Sequence, residues 1–199
     1  MGDSSIELDA MNPHAGKQSV RVRASGGYCN HIFLQAKPFT ALPDPLFVRL
    51  YVRFDKALTQ SHVTFLTLED ASDQKDLRMG GQSEILMWNR ESDDATLPEL
   101  SPAGIALSQK PAPQKWACVE FELNGQTRSL HTWVDGQPVA GLQVDGEGTP
   151  DIDAQWRRMA NWTPKPTNFR LGWESYGSDA NTLWFDDVAL ASSRIGCAP

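Results

Sequence analysis

The sequence lacks any apolar run long enough to cross a bilayer, and its start lacks a signal-peptide pattern. The opening MGDSSIELD has neither a basic n-region nor an apolar h-region. It also departs from the N-myristoylation pattern, because Ile6 stands where serine or threonine is needed. We therefore expect either a cytosolic protein or a mature secreted domain without its leader.

An excess of basic charge is also missing, since the formal net charge of the 199 residues is −7. Nucleic acids and anionic membranes are usually bound through basic surfaces, so neither is an expected partner. The 13 prolines and 15 glycines are scattered, which leaves no linker or low-complexity tail. The length suits one domain with a sizeable core, and we expect residues 1–199 to form it.

Cysteines are few, and no two of them have CxxC spacing. A zinc site or a thioredoxin-like motif is therefore disfavoured. One interpretation is three free buried thiols at Cys29, Cys118 and Cys197. The other is a disulfide that ties the terminal Cys197 to a strand, with Cys118 as the favoured partner and Cys29 left over.

Helical periodicity is nearly absent, and alternation of period two takes its place. Residues 47–54, 116–123, 129–135, 169–174 and 183–191 alternate apolar and polar side chains as half-buried strands do. The one helix candidate is residues 152–160. Residues 89–113 lack strand character, which predicts a long loop over the sheet, and residues 89–98 are expected to form a lid over a binding site. Many short strands with turns between them predict an all-β antiparallel sandwich or β-jelly roll.

Arg78 and Gln82 lie four residues apart in an extended segment, so a strand directs both to one face, with the small Gly80 between them. A guanidinium matches the geometry of a carboxylate, and an amide adds a hydrogen bond. The pair therefore predicts a site for a carboxylate or a sugar ring. The alternative is a surface ion pair of Arg78 with Asp76 or Glu84.

Proton transfer at such a site needs a base and an acid, and three residues are candidates. His62 could be the base because the reference pKa of histidine is near neutrality, and Tyr51 and Tyr176 could serve if a nearby arginine lowered the pKa of the phenol. Tyr51 lies between Arg49 and Arg53 on one strand face, so these three form a candidate second wall. The alternative for each is a packed aromatic ring or an edge histidine.

Trp88, Asn89 and Asp94 follow the Arg78 strand and are candidate substrate-binding residues. Asp94 and Asn89 could bond sugar hydroxyls, although turn chemistry explains aspartates in a loop equally well. Seven tryptophans also permit a non-catalytic carbohydrate-binding module, in which Trp88, Trp133 or Trp162 stack on sugar rings.

A glycoside hydrolase is a further alternative. It needs two carboxylates that flank the scissile bond, and Glu120 and Glu122 share a strand face. No third acid follows at Gly125, and two glutamates opposite a core face are more often simply solvated.

Several segments together resemble the fungal cellulase-induced, lyase-like secreted proteins and their bacterial relatives. They are residues 13–22, 26–34, 77–98, 116–123 and 184–197, of which the run from Arg78 and the closing DDVALASSRIGC are the most specific. The resemblance implies a concanavalin A-like β-jelly roll with a concave cleft and lyase activity on glucuronic-acid polymers. It assigns Arg78 and Gln82 to the cleft. It also implies a structural calcium ion, held by Asp186 and by a loop carbonyl near Ala15.

We therefore expect a secreted, monomeric jelly-roll domain whose partner is a plant, algal or microbial polysaccharide. The expected reaction is β-elimination on a polyuronate such as glucuronan, with Arg78 and Gln82 neutralising the uronate carboxylate. The base stays open among His62, Tyr51 and Tyr176. A carbohydrate-binding module without activity is the alternative.

Overall fold

The computed structural model describes residues 4–35 and 41–197. Over these residues the chain forms two antiparallel sheets. Sheet A has the order β1 (Ser5–Asp9), β2 (Ser19–Ala24), β13 (Asn181–Ala191), β4 (Leu46–Phe54), β9 (Trp116–Asn124), β10 (Ser129–Val134) and β11 (Gln137–Val144). Sheet B has the order β3 (Asn30–Gln35), β12 (Arg170–Ser175), β5 (Val63–Asp70), β6 (Lys75–Gln82), β7 (Ile85–Arg90) and β8 (Ala95–Leu97). The predicted β-jelly roll is confirmed.

Alternation along the strands explains why the two sheets pack face to face. On β4, Val48, Leu50 and Val52 are fully buried between the sheets, whereas Arg49 and Arg53 point away from the core. Apolar residues at every second position supply most of the free energy that holds such sheets together, at about 25 cal/mol per Å² of buried apolar area. The strand assignments made from alternation are thus confirmed.

Aromatic rings fill the middle of the sandwich. Trp88 is fully buried, packs edge-on against Phe121 with ring centroids 4.9 Å apart, and donates its indole N–H to the Thr132 hydroxyl at 3.0 Å. Trp173 and Trp162 belong to the same apolar cluster. Because a buried indole N–H needs an acceptor, the Thr132 bond fixes the orientation of Trp88 as well as its burial.

The C-terminal segment is fastened to the outer face of sheet A. Cys118 and Cys197 form a disulfide, which confirms the pairing favoured from the sequence, and Cys29 is free and exposed. Next to it, the fully buried Glu120 accepts the amide N–H groups of Ile195 and Gly196 at 2.7 and 2.9 Å. Glu120 therefore anchors the C-terminal segment, which argues against the alternative of a hydrolase acid at this residue.

Two predictions about non-strand segments are also wrong. Residues 89–113 are not one long loop, because Ala95–Leu97 pairs with the end of β7 as the edge strand of sheet B and Pro102–Ile105 forms a short helix, α1. Residues 152–160 contain only a 3-10 turn, Trp156–Arg158. The Trp156 carbonyl accepts a hydrogen bond from the Arg90 side chain at 3.0 Å instead of one from a backbone N–H of a continuing helix. Neither short helix among the described residues is long or apolar enough to cross a membrane.

Candidate functional site

The outer face of sheet B carries a row of polar side chains in direct register. Arg78 on β6 lies opposite Thr67 on β5 and Asn89 on β7, and Thr67 lies opposite Arg170 on β12. Residues directly opposite one another in antiparallel strands point to the same face. The neighbours of Arg78 along β6, Leu77 and Met79, are fully buried in the core, so this row points away from it.

Gly80, which was expected to leave open space between Arg78 and Gln82, instead permits a close approach of two strands. A β-carbon at this position would lie 1.8 Å from the Val63 carbonyl oxygen on β5. The register of β5 shifts here between Thr64 and Leu66, which is a β-bulge. Glycine is therefore required by the backbone of the neighbouring strand, and Arg78 and Gln82 still share one face.

His62 and Tyr176 meet where β5 begins and β12 ends. Their rings are stacked, with centroids 4.9 Å apart and planes 9° from parallel. The Tyr176 amide donates to the His62 carbonyl at 3.1 Å, which holds the two residues in register. The Arg78 guanidinium lies over the Tyr176 ring, 5.7 Å from its centroid. The pairing of Val63 with Gly81 brings Gln82 to the same end of the sheet, so these four predicted residues come together.

The protonation states at this cluster follow from burial and charge. Burial, together with the positive charge of Arg78, lowers the pKa of His62 from 6.5 to about 4, against the opposing effect of Asp94. His62 is therefore neutral at pH values well above 4. Burial, together with the negative charge of Glu174, raises the pKa of the Tyr176 phenol, which keeps its proton.

Arginines on this face are paired with carboxylates. The Arg78 Nη2 lies 2.8 Å from Glu91 Oε1, and the other oxygen of Glu91 accepts the amide N–H of Asp76 at 2.9 Å. The Asp76 carboxylate in turn lies 2.6 Å from Arg170 Nη2. The sequence had offered Asp76 or Glu84 as the surface partner of Arg78, but Asp76 pairs with Arg170 and Glu84 pairs with Lys110.

A groove of about 390 Å³ opens beside these pairs. Its lining includes Arg78, Glu91, Asp76, Arg170, Glu174 and, from β3, His31 and Phe33. The lining is mainly polar and charged, and one aromatic ring flanks it. Such a surface suits a hydroxyl-rich, charged ligand better than an apolar one.

The predicted second wall is wrong. Arg49, Tyr51 and Arg53 are on β4 in sheet A and point to its outer face, on the far side of the core from Arg78. Tyr51 stacks on His14 there, with ring centroids 3.6 Å apart, and Arg53 lies over the Trp184 ring at 4.9 Å. Alternation identified the correct strand face but carries no information on which sheet a strand joins.

The other predicted binding residues are divided between core and face. Trp88 is in the core, as described above, so the prediction that it binds substrate is wrong. Asn89 is buried on the Arg78 face, donates to the Ala95 carbonyl at 3.5 Å, and has an Oδ1 without a partner among the described residues. Asp94 is exposed in the turn between β7 and β8, close enough to act on the pKa of His62. Residues 89–98, which were predicted to form a lid, are part of this hairpin.

The tryptophans proposed as stacking platforms are likewise covered. Trp162 is buried and donates to Asp70 at 3.2 Å, and Trp133 lies beneath the guanidinium of Arg194, 4.5 Å from its ring centroid. Neither ring offers an open face of the kind that a sugar would need.

The residues expected to hold calcium engage each other differently. The Asp186 carboxylate accepts amide N–H groups from His14 at 2.7 Å, Ala15 at 3.3 Å and Asp187 at 2.8 Å. Ala15 thus contributes a donor where a ligand carbonyl was expected, and residues 4–35 and 41–197 contain no group of three or more histidine, cysteine, aspartate or glutamate side chains that could hold a metal ion. Calcium is bound by six to eight oxygens, so Asp186 by itself gives the ion little support, and calcium binding stays a prediction.

Three residues of the face were missed from the sequence. Glu91 and Arg170 are the charged partners of Arg78 and Asp76, and Glu174 neighbours Tyr176. Arg170 and Glu174 were recognised only as the outer side of an alternating strand. The sequence did show that Arg170 and Glu174 are charged and lie on the same face of one strand. It did not show which strands lie beside that strand in the sheet.

The two antiparallel sheets and the polar, charged groove on one outer face define a β-sandwich of the jelly-roll class. Within it, the family model described as "Polysacc_lyase-like: Cip1-like, core domain" matches residues 1–193, so the chain belongs to the Cip1-like family. The resemblance noted from the sequence is thereby confirmed. No curated protein matches the chain.

Solved structures agree with this assignment. The cellulose-induced protein Cip1 is 41% identical, with a TM-score of 0.90 over 98% of this chain and 88% of that one. An endo-β-1,4-glucuronan lyase from the fungus Trichoderma reesei is 12% identical, with a TM-score of 0.60 over 96% and 88% of the two chains. The binding domain of botulinum neurotoxin DC, at 11% identity, has a TM-score of 0.58 over 96% of this chain and 42% of that one. The last two similarities show the fold alone.

Proposed function

We propose that this protein is a secreted polysaccharide lyase that cleaves a polyuronate by β-elimination. The observation that carries the proposal is the convergence of Arg78, Gln82, His62 and Tyr176 on one face of sheet B. One structural neighbour is an endo-β-1,4-glucuronan lyase, which agrees with it. A glucuronan-like polymer is therefore the first substrate to test.

Arg78 is proposed to neutralise the uronate carboxylate, with Gln82 as its hydrogen-bonding companion. The proton alpha to a carboxylate is weakly acidic while the carboxylate keeps its charge, so a positive charge at this group lowers the barrier. The Nε of Arg78 is buried and has no partner among the described residues, so the pair with Glu91 leaves part of the donor capacity of the guanidinium unfilled. The side-chain amide of Gln82 makes no hydrogen bond to any residue within 4–35 and 41–197.

His62 is proposed to be the base and Tyr176 the acid. A neutral imidazole nitrogen of His62 takes the proton from C5 of the uronate, and the electron pair of that bond forms the C4–C5 double bond as the C4–O4 bond breaks. The Tyr176 hydroxyl then gives its proton to the departing O4. The low pKa of His62 and the high pKa of Tyr176 keep both groups in the forms that these steps need.

Position also argues for this assignment over Tyr51. The Tyr176 ring is stacked on His62 and lies under Arg78, so a sugar bound by Arg78 is within reach of both groups. Tyr51 is in the opposite sheet, against His14. A phenol on the far side of a packed core cannot exchange a proton with that sugar.

A carbohydrate-binding module without activity is the second candidate. It is supported by the Glu91 carboxylate, which already occupies part of Arg78, and by the low basicity of His62. It is weakened by the tryptophans, since Trp88 and Trp162 are buried and Trp133 is covered.

The deciding experiment is a panel of uronate polymers assayed for the ultraviolet absorbance of unsaturated uronate ends. The wild-type protein should generate this signal with at least one polymer, and Arg78→Gln should abolish it while the fold is retained. Arg23→Gln, which removes an exposed arginine from sheet A, is the matched control and should keep full activity. Silence on every polymer, together with retained polysaccharide binding, would leave the binding module as the function.

A further inference from the structure

Two arginines on the outer face of sheet B repeat the same environment. Arg78 and Arg170 each place Nη2 against one carboxylate, Glu91 at 2.8 Å and Asp76 at 2.6 Å. In each, Nε is buried and has no partner among the described residues. Both line the same groove. Each arginine is therefore partly buried, oriented by one carboxylate, and left with unused donor capacity.

The spacing of these arginines is set by the sheet. Arg170 is in register with Thr67, and Thr67 is in register with Arg78, so the two lie on the same line across three strands. Neighbouring strands are about 4.8 Å apart, which separates the two α-carbons by about 10 Å. Thr67 between them is short, so no long side chain separates the two guanidinium groups.

This separation matches a feature of extended 1,4-linked sugar chains. One pyranose residue in such a chain advances by about the spacing of one strand, and successive residues turn their edges to alternate sides. Residues two apart therefore present their carboxylates on the same side, at about the separation of two strands. A chain that lay across the strands would direct two carboxylates of this kind at Arg78 and Arg170.

We propose that Arg170 binds a second uronate carboxylate, on the sugar two residues away from the one held by Arg78. The inference rests on the proposed function, and it narrows the substrate class to acidic polysaccharides with a uronate at least at every second residue. It makes Arg170 a specificity-determining residue that acts on binding, distant from the bond that breaks. Sugars of two residues are too short to use it.

Asp76 is the internal competitor for this site. Burial raises the pKa of its carboxyl even though Arg170 is adjacent, so the charged form of Asp76 is costly in this position. Removing its charge by Asp76→Asn should leave the fold intact and free Arg170 for a ligand. The two residues thus give substitutions with opposite expected effects on the same contact.

The experiment is calorimetric titration with glucuronate oligomers of two, four and six residues in a His62→Gln background, which prevents turnover. Arg170→Gln should weaken binding of the four- and six-residue oligomers about tenfold, the loss of roughly one charge-assisted hydrogen bond, and leave the two-residue oligomer unchanged. Asp76→Asn should tighten binding of the longer oligomers. Arg23→Gln should change nothing.

Equal affinities of Arg170→Gln and its parent for the longer oligomers would overturn the inference, as would an equal loss for all lengths. Because Arg170→Gln leaves Asp76 unpaired, the double variant Arg170→Gln/Asp76→Asn repeats the test without a buried lone charge, and it should show the same loss. Failure of the proposed function looks different: the protein with His62 intact would then form no unsaturated uronate ends from any oligomer, whatever Arg170→Gln does to binding.

Discussion

Glu91 forms an ion pair of 2.8 Å with Arg78, across the β6–β7 hairpin, at the centre of the polar face. The Glu91 carboxylate thus contacts Arg78 in the way that the carboxylate of a bound uronate would. This pair orients the guanidinium before a ligand arrives, and it also competes with the ligand. Pre-orientation and competition predict opposite effects of removing Glu91 on turnover and on affinity.

The first prediction concerns that competition. Glu91→Gln keeps an acceptor for the Asp76 amide but removes the charge beside Arg78. We expect KM for a uronate polymer to fall by about threefold to tenfold, the size of a partly buried ion pair, and kcat to fall modestly because Arg78 is less well oriented. Steady-state kinetics on Glu91→Gln measure both. A rise in KM would show that Glu91 contacts substrate.

A second prediction follows from the lowered pKa of His62. Its folded pKa of about 4 is below the ordinary 6.5, so between these values the unfolded state binds the proton more readily. Stability should therefore fall as pH drops from about 6.5 to 4. His62→Gln should remove this part of the pH dependence, on the order of 3 kcal/mol at most. Urea unfolding at several pH values is the measurement.

The same group predicts the acid limb of the activity. Since His62 must be neutral to take a proton, kcat/KM should decline only as pH falls through about 4. An acid limb near the ordinary histidine pKa would contradict the environment described for His62, and an unchanged profile in His62→Gln would exclude it as the base.

The third prediction concerns Trp88, which its place after the Arg78 strand had marked as a candidate binding residue. Trp88→Phe should cost stability through lost packing and the unpaired Thr132 hydroxyl, about 1–3 kcal/mol, and should not change polysaccharide affinity. Chemical denaturation and a pull-down on insoluble polysaccharide test the two halves. A loss of polysaccharide binding at unchanged stability would contradict the core role of Trp88 and show that it contacts the ligand.

The disulfide gives the fourth prediction. Cys118 and Cys197 are 79 residues apart in sequence, and closing a loop of this length restricts the unfolded chain. Reduction, or the double variant Cys118→Ala/Cys197→Ala, should lower the free energy of unfolding by about 2–4 kcal/mol. Cys29→Ala, which removes the free thiol, is the control and should leave stability unchanged. Equal stability of all three proteins would show that the disulfide does not stabilise the fold, and that contacts such as those of Glu120 and Arg194 hold the C-terminal segment.

Strand identity and strand faces could be predicted from the sequence, because alternation is written in consecutive residues. The outward direction of Arg78 and Gln82, and of Arg49 and Arg53, followed from it correctly. The sheet to which each strand belongs could not be predicted, since that depends on pairings between distant segments. Tyr51 was for this reason placed beside Arg78, although β4 and β6 are in different sheets.

Charge pairing shows the same limit. Arg170 is 94 residues from Asp76, and nothing in either segment indicates the other. The family resemblance, carried by local motifs, identified the strand on which the proposed site lies but named none of the residues that strand β12 adds to the face. Short β8 was missed because three residues are too few to show alternation.

The measurement that tests the central claim most directly is mass spectrometry of the products formed from a defined glucuronate oligomer. β-Elimination splits a chain without adding water, so the product masses should sum to the mass of the substrate, and one product should carry an unsaturated terminal uronate. Products whose summed mass exceeds the substrate by one water would show hydrolysis, and an oligomer recovered intact would show binding without catalysis. Either result would contradict the assignment of Arg78, His62 and Tyr176 to an elimination.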